Sequence, residues 1–348
     1  MRSFMISAAP PALPSGFVRI LPMSSQINYV LAGDIGGTNM RAALADRSGS
    51  LVARGVCPTE PELGLPQAEE KLRALFEEVA SGIPRDEVGG VVISSAGPID
   101  PASGIYVHPP NLPGWHDMTM KPGLAASLNL QVTIGHDATL GALAESRYGV
   151  GKGAQHLVYV TLSTGVGGGI IANGQMVTGA HGHAGEMGHL LVRPGGQSCN
   201  VGCDGCLEGI ASGGGIARAA TVAINAGRAS SMLEMAGGDA EAVSAQIVFE
   251  AAADGDDFGR EIVESVIDAV ATGFADILNT LDPEYLVVGG AVTGSLQPYW
   301  DDLKALIGDK ALPHFKGMIP LYISPLGDDV SLIGAAAHAF DIADSRSD

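Results

Sequence analysis

Basic side chains are scarce in this chain. Its 19 Lys and Arg stand against 38 Asp and Glu, a formal net charge of -19 over 348 residues. A nucleic-acid partner needs its phosphates neutralised, and an anionic membrane attracts the same cations, so neither is expected as a partner. Acidity leaves an anionic small-molecule substrate open, because backbone amides and Mg²⁺ can hold phosphate locally. Cysteine is sparse as well, four residues in all. That excludes a disulfide scaffold and makes a reducing cytoplasm the expected location. No apolar run approaches the roughly 18 residues that a membrane-crossing helix requires. Low-complexity linkers are missing too. What the chain has instead is glycine, 49 residues, and an apolar fraction of 46%. The second figure supplies a large core; the first supplies many turns where backbone can approach a ligand.

Residues 1–27, where Pro10, Pro11 and Pro14 interrupt an apolar stretch, read as a disordered leader or as an over-long start with Met23 as the true initiator. From Tyr29 the texture changes. "YVLAGDIGGTNMRAALAD" reads as strand, glycine turn and strand. Apolar residues at helical spacing predict a helix over 69–83, and 88–100 predicts a β-branched strand running into a Gly-Pro loop. A short helix, a strand, a loop and another helix follow through residue 149. The segment 156–177 then repeats the opening layout: apolar strand, Thr/Gly turn, second strand. A long helix, a strand with a third Gly-Gly turn and a closing helix complete the chain. Alternating strands and helices give an α/β class. The expected division is a small N-terminal domain over 28–134, rejoined by the closing helix at about 331–344, and a large domain over 135–330.

The turn "DIGGT" (34–38) lies between two strands. Gly36 and Gly37 leave successive N–H groups free to face a phosphate, Thr38 adds a hydroxyl, and Asp34 could orient a magnesium hydration shell. A plain hairpin turn explains one Gly-Gly pair equally well. Two further turns, "STGVGGG" (163–169) with Thr164 and Gly165, and "VVGGAV" (287–292) with Gly289 and Gly290, each follow an apolar strand. Three such turns are hard to credit to accident.

Taken in order, "DIGGT", "SSAGPID", "NLPGW", "HDATLGALAE", "STGVGGGII", "GHAGEMGHLLV", "CNVGCDGCLE" and "VVGGAV" resemble the ROK family, named for repressors, open reading frames and kinases. The resemblance covers residues 28 to 340. It implies the two-domain actin-like ATPase fold (hexokinase/ribonuclease H-like) with an interdomain cleft. It also implies a sugar kinase of the bacterial glucokinase kind, using ATP and Mg²⁺, and a homodimer or homotetramer. The family's repressors carry an added DNA-reading winged helix, for which the residues before the first strand are too few.

By the same resemblance Asp137 is the catalytic base; a helix N-cap is the alternative for an Asp at that point. The family writes Asn-Asp-Ala-Asn where this chain has His136-Asp137-Ala138-Thr139. Its first Asn holds a sugar hydroxyl, so His136 leaves the sugar's identity open, whether it binds the sugar or packs beside it. Glu186, His189 and Glu208 stand at sugar-contacting positions, and the loop 94–98 brings Gly97 near the sugar.

Three of the four cysteines fall within "CNVGCDGC" (199–206). Three thiols and a histidine form a common structural zinc set. The family pattern is Cys-x-Cys-Gly-x-x-Gly-Cys; here Val201 stands at the middle cysteine and a cysteine appears at 203. The expected Zn²⁺ ligands are therefore His189, Cys199, Cys203 and Cys206. A redox pair at Cys203 and Cys206 and a metal-free loop are the rivals. Cys57 reads as an ordinary strand or loop residue, and His181 and His183 as loop residues. The leading expectation is phosphorylation of a hexose at its 6-hydroxyl. A sugar-sensing regulator that does not phosphorylate, and a chaperone-like ATPase, are the alternatives from other classes.

Overall fold

The computed structural model describes residues 27–100, 102–109 and 111–346. All but the last residue of the expected leader lies outside them. The chain opens with β1 (Tyr29–Ile35), β2 (Asn39–Asp46) and β3 (Leu51–Pro58), followed by α1 (Leu65–Val79) and β4 (Val88–Ser95). The short pair β5 (Ile99–Asp100) and β6 (Ile105–Tyr106), then α2 (Lys121–Leu128), β7 (Val132–His136) and α3 (Asp137–Arg147), complete the first part. The second part begins with β8 (Leu157–Leu162), β9 (Val166–Ala172) and β10 (Gln175–Met176). Helices α4 (Leu207–Ala211), α5 (Gly213–Asn225), α6 (Met232–Met235), α7 (Ala245–Ala253) and α8 (Asp257–Leu281) come next. The chain ends with β11 (Tyr285–Gly289), α9 (Ala291–Leu296), α10 (Trp300–Lys310), β12 (Leu321–Ile323) and α11 (Val330–Asp344).

Two five-stranded sheets share one plan. The first has the order β3-β2-β1-β4-β7 and the second β10-β9-β8-β11-β12. In each, the three consecutive strands run antiparallel and the remaining two lie parallel to the first of them. The reason is local. A glycine turn lets a strand fold straight back on itself, whereas a parallel neighbour must wait for a crossover. The doubled strand-turn-strand pattern of the sequence is thus a doubled sheet.

The expected helix at 69–83 begins earlier, at Leu65, with a proline in its first turn, and stops at Val79. Proline fits there because the first-turn N–H is unpaired in any case.

The first sheet is covered on one face by α1 and by a cluster holding Trp115, Tyr106 and Phe76. On its other face α11 lays Ala335, Ala336 and Ala339 against Val30, Ala32 and Val92. Helix α11 crosses α3 closely: a Cβ on Gly334 would lie 2.0 Å from the Leu140 carbonyl oxygen. Only glycine permits that approach. The second sheet packs on the largest cluster, which includes Phe274, Val270 and Leu278 of α8. Helix α3 leaves the last strand of the first sheet and packs on β8 and β9 of the second. It therefore carries its first residue to the junction of the two sheets.

Candidate active site

That residue is Asp137. It opens α3, and the N-cap position falls to His136. The Asp137 carboxylate accepts the Ala138 N–H at 2.7 Å. The His136 Nδ1 stands 3.4 Å from Asp137 Oδ1. The side chain keeps 38% of its surface open, while protein encloses it on the remaining sides. That burial raises its pKa above the usual carboxylate range, and the nearby charges of Asp34 and Glu186 push the same way; His136 and the Ala138 amide oppose them. Two candidate residues from distant parts of the chain, Asp34 and Glu186, therefore bear on one carboxylate.

His136 is packed between both sheets' loops. A Cβ on Gly97 would meet its Cδ2 at 3.2 Å, and one on Gly167 of β9 would meet its Cε1 at 3.8 Å. Gly97, His136 and Asp137 are thus brought together. The Glu186 carboxylate lies 4.0 Å from His189 Nε2, and the other ring nitrogen, Nδ1, lies 3.9 Å from Cys199 Sγ. His189 consequently links the carboxylate side of the site to the thiols.

The phosphate-loop candidates divide into groups. Asp34, at the end of β1, receives Nε and Nη2 of Arg41 at 3.0 and 2.7 Å. Gly36 and Gly37 are half-buried and Thr38 is exposed at the turn. In the second turn Ser163 N–H closes onto Gly165 O at 2.9 Å. Thr164 lines a cavity of about 930 Å³ that also takes in Gly213, Gly214, Glu241, Phe249 and Tyr299. The third turn ends β11. Gly290 has φ 92 and stands so near Leu162 O that a Cβ would lie 2.4 Å from it, and α9 begins directly after. Ala291 and Val292 line the cavity, and Gly289 and Gly290 are not among its lining residues.

Glu208 belongs to the second turn as much as to any sugar position. Its carboxylate accepts Val166 N–H at 3.0 Å, and a Cβ on Gly165 would meet it at 2.8 Å. The cavity wall formed by Gly213, Gly214 and residues 241–250 was not picked out by motif. The run Ser212-Gly213-Gly214-Gly215 was the available signal: a capping serine ahead of glycines that open a helix.

Among the thiols, the ligand atoms of His189, Cys199 and Cys203 all lie within 4.8 Å of one another. Cys206 stands beside Cys199, and its sulfur accepts Gly209 N–H at 3.4 Å as the N-cap of α4. The Cys199 sulfur accepts Cys203 N–H at 3.4 Å. Burial pushes the Cys199 thiol up, but the amides of Cys203 and Val201 and the neighbouring thiols outweigh it and leave its pKa below the ordinary value. Burial holds Cys206 up at about 11. Val201 points to solvent, 64% exposed. All four cysteines are free; Cys57 lies in β3, and His181 and His183 are exposed.

The chain matches the family described as "ROK family" over residues 30–342. It is 33% identical to the glucokinase of Thermotoga maritima over 304 residues, covering 87% of this chain and 95% of that protein. It is also 33% identical over 307 residues to the N-acetylmannosamine kinase of Salmonella typhimurium, covering 88% and 96%. Among solved structures, the ROK hexokinase of Thermus thermophilus superposes with a TM-score of 0.77 at 29% identity, covering 91% of this chain and 99% of that one. The ROK family glucokinase of Streptomyces griseus, solved with glucose and AMPPNP, gives 0.70 at 27% identity over 90% and 99%. The fold is the actin-like α/β fold, and the chain belongs to the ROK family.

Proposed function

We propose that this chain is an ATP-dependent hexose kinase acting at the sugar 6-hydroxyl, with glucose as the first substrate to test. The observation that carries the reading is Asp137. It opens α3 at the sheet junction under the charges of Asp34 and Glu186, and its neighbours His136 and Ala138 pack on Gly167 of the turn that leads into the 930 Å³ cavity. The cavity suits a nucleotide, with Ser163 and Thr164 at the phosphate end. Glu186, His189, Glu208, His136 and Gly97 would receive the sugar. As the sugar oxygen bonds to the γ-phosphorus, its proton passes to the Asp137 carboxylate, and the bond to the β,γ-bridging oxygen breaks to release ADP. Mg²⁺ would neutralise the phosphates. Asp34 is the residue to orient it; Gly36 N–H is already given to Asn39 O at 3.0 Å, so Gly37 and Thr38 and the turns at Thr164, Gly165, Gly289 and Gly290 are left to offer backbone donors.

The donor set of one imidazole and clustered thiols fits Zn²⁺. His189, Cys199 and Cys203 would hold it, with Cys206 as the fourth ligand; the amide donors at Cys199 already favour thiolate there, whereas Cys206 would give up its proton only on binding the metal. Zinc would supply structural closure and fix the His189 ring. Metal analysis of the purified chain and of Cys203→Ser tests this, Cys57→Ser being the control.

The same reading takes 28–134 with 331–344 as one domain closing on 135–330, a homodimer or homotetramer, and a cytoplasmic location. None of the helices searched is long and apolar enough to cross a membrane. A second reading, an N-acetylmannosamine kinase, is favoured by equal identity to such an enzyme. ADP release measured across a panel of hexoses decides between them. No release with any sugar would overturn both and leave a sugar-binding regulator.

A further inference from the structure

Helices α4 and α5 are separated by one residue, Ser212, whose hydroxyl accepts Gly215 N–H at 2.9 Å. The break redirects backbone groups. A continuous helix would give Gly213 N–H to Gly209 O. Instead Gly213 N–H goes to Ser163 O at 2.7 Å, and Gly214 N–H goes to Thr164 O at 3.3 Å. The start of α5 is thereby tied to the second phosphate turn, and Gly209 O loses its helical donor.

One side chain makes up the loss. The Gln197 amide nitrogen donates to Gly209 O at 2.8 Å and to Gly215 O at 2.7 Å. An amide NH₂ has two hydrogens, so one nitrogen serves both carbonyls. The backbone at Gln197 is held too. Its carbonyl accepts Gly205 N–H at 3.0 Å, and a Cβ on Gly209 would lie 2.5 Å from it. Gln197 stands two residues before Cys199, on the cysteine loop. Helix α4 carries Glu208, which holds Val166 N–H; helix α5 lines the cavity with Gly213, Gly214 and Ala217.

We propose that Gln197 is a positioning residue: its one amide group pins the sugar-side helix and the nucleotide-side helix to the cysteine loop, and so sets the spacing of both subsites. This rests on the assignment of α4 to the sugar and α5 to the nucleotide. Loosening this corner should weaken both substrates together, because Glu208 and the Gly213–Gly214 amides move with it. Glutamate at 197 would set carboxylate oxygens against two carbonyl oxygens; alanine would leave Gly209 O unpaired and Gly215 O with its helical donor alone; lysine retains donors at similar reach.

The test is steady-state kinetics and thermal melting of Gln197→Glu, Gln197→Ala and Gln197→Lys. In the Glu and Ala variants KM for sugar and KM for ATP should both rise by about tenfold or more, the scale of an unpaired buried acceptor. In the Lys variant both should return toward wild type. The rate at saturation should move less than either KM. A side chain that only stabilised the fold would lower the melting temperature and leave both KM values in place. If the Glu variant does not fold, the Ala and Lys pair gives the same comparison. The proposal is overturned if folded Gln197→Ala changes one KM or neither. Glu208→Gln separates the two levels. Normal sugar binding in that variant would remove the sugar-side assignment itself; weakened sugar binding beside an unaffected Gln197→Ala would remove only the role of Gln197.

Discussion

The first two glycine turns look alike in sequence and are held by different means. The first is built around an ion pair of its own hairpin: Asp34 and Arg41 face each other across β1 and β2, joined at 2.7 and 3.0 Å, and Arg41 reaches on to Asp328 O and to Ser331 Oγ of α11 at 2.8 and 3.3 Å. The second hairpin has no charged residue between Leu157 and Ala172. Its restraint comes from much later in the chain. Glu208, 42 residues beyond Val166, takes that amide, and Gly213 and Gly214 take the carbonyls of Ser163 and Thr164. One turn carries a charged pair on its own two strands, with the start of α11 as a further anchor. The other depends on a corner that must fold onto it.

Asp137 lies between the turns and holds neither of them, so its replacement separates chemistry from binding. In Asp137→Asn, turnover should fall by about 10²- to 10⁴-fold, the usual worth of a positioned acid or base. KM for sugar and ATP should change only a few-fold, as read by coupled ADP release. Near-normal turnover would remove Asp137 as the base.

The second turn is the next to break. Glu208→Gln exchanges a charge-assisted hydrogen bond to Val166 N–H for a neutral one and removes a carboxylate from the sugar side. A loss of about 10- to 100-fold in kcat/KM for the sugar is expected, since bonds to charged groups are worth about 1.5–3 kcal/mol. The first turn should respond differently. Arg41→Met leaves Asp34 unpaired, with 15% of its side chain exposed. Its cost should fall between a surface pair and a buried one, about 1–2 kcal/mol of stability, seen as a lower urea midpoint. Stability loss from Glu208→Gln with unchanged kinetics, or the reverse for Arg41→Met, would cancel the contrast.

That contrast also explains how far the sequence could be read. The hairpins were legible because glycine turns between apolar strands act over a few residues. Asp137 and the cysteines were legible because they sit inside contiguous motifs. The α4–α5 corner was not: Gln197, Ser212 and Gly213 matter only through carbonyls supplied by segments far away. Helix α7, which forms the cavity wall, carries no motif, and its apolar face looks like that of any packed helix. The exchange of Val201 for Cys203 could be read as a shift of one thiol. Where Cys206 would point depended on an amide of α4 that spacing does not reveal.

The smallest effect concerns Asp137 again, through stability rather than rate. Burial raises its pKa first, with Asp34 and Glu186 adding to it. A raised native pKa means that the folded chain holds this proton more tightly than the unfolded chain does. Folding then weakens as pH climbs from the ordinary carboxylate value to the raised one, and the penalty persists at neutral pH. Asn cannot ionise and carries no such penalty. Asp137→Asn should therefore melt above wild type at pH 7, and the gap should shrink as both are acidified and the wild-type carboxyl takes up its proton. Activity should run the opposite way, with the acid limb of kcat/KM above the usual carboxylate range because only the ionised base can accept the sugar proton. A variant that melts below wild type at pH 7 would mean that His136 and the Ala138 amide outweigh burial. In that case the site would hold Asp137 ionised at no cost to the fold.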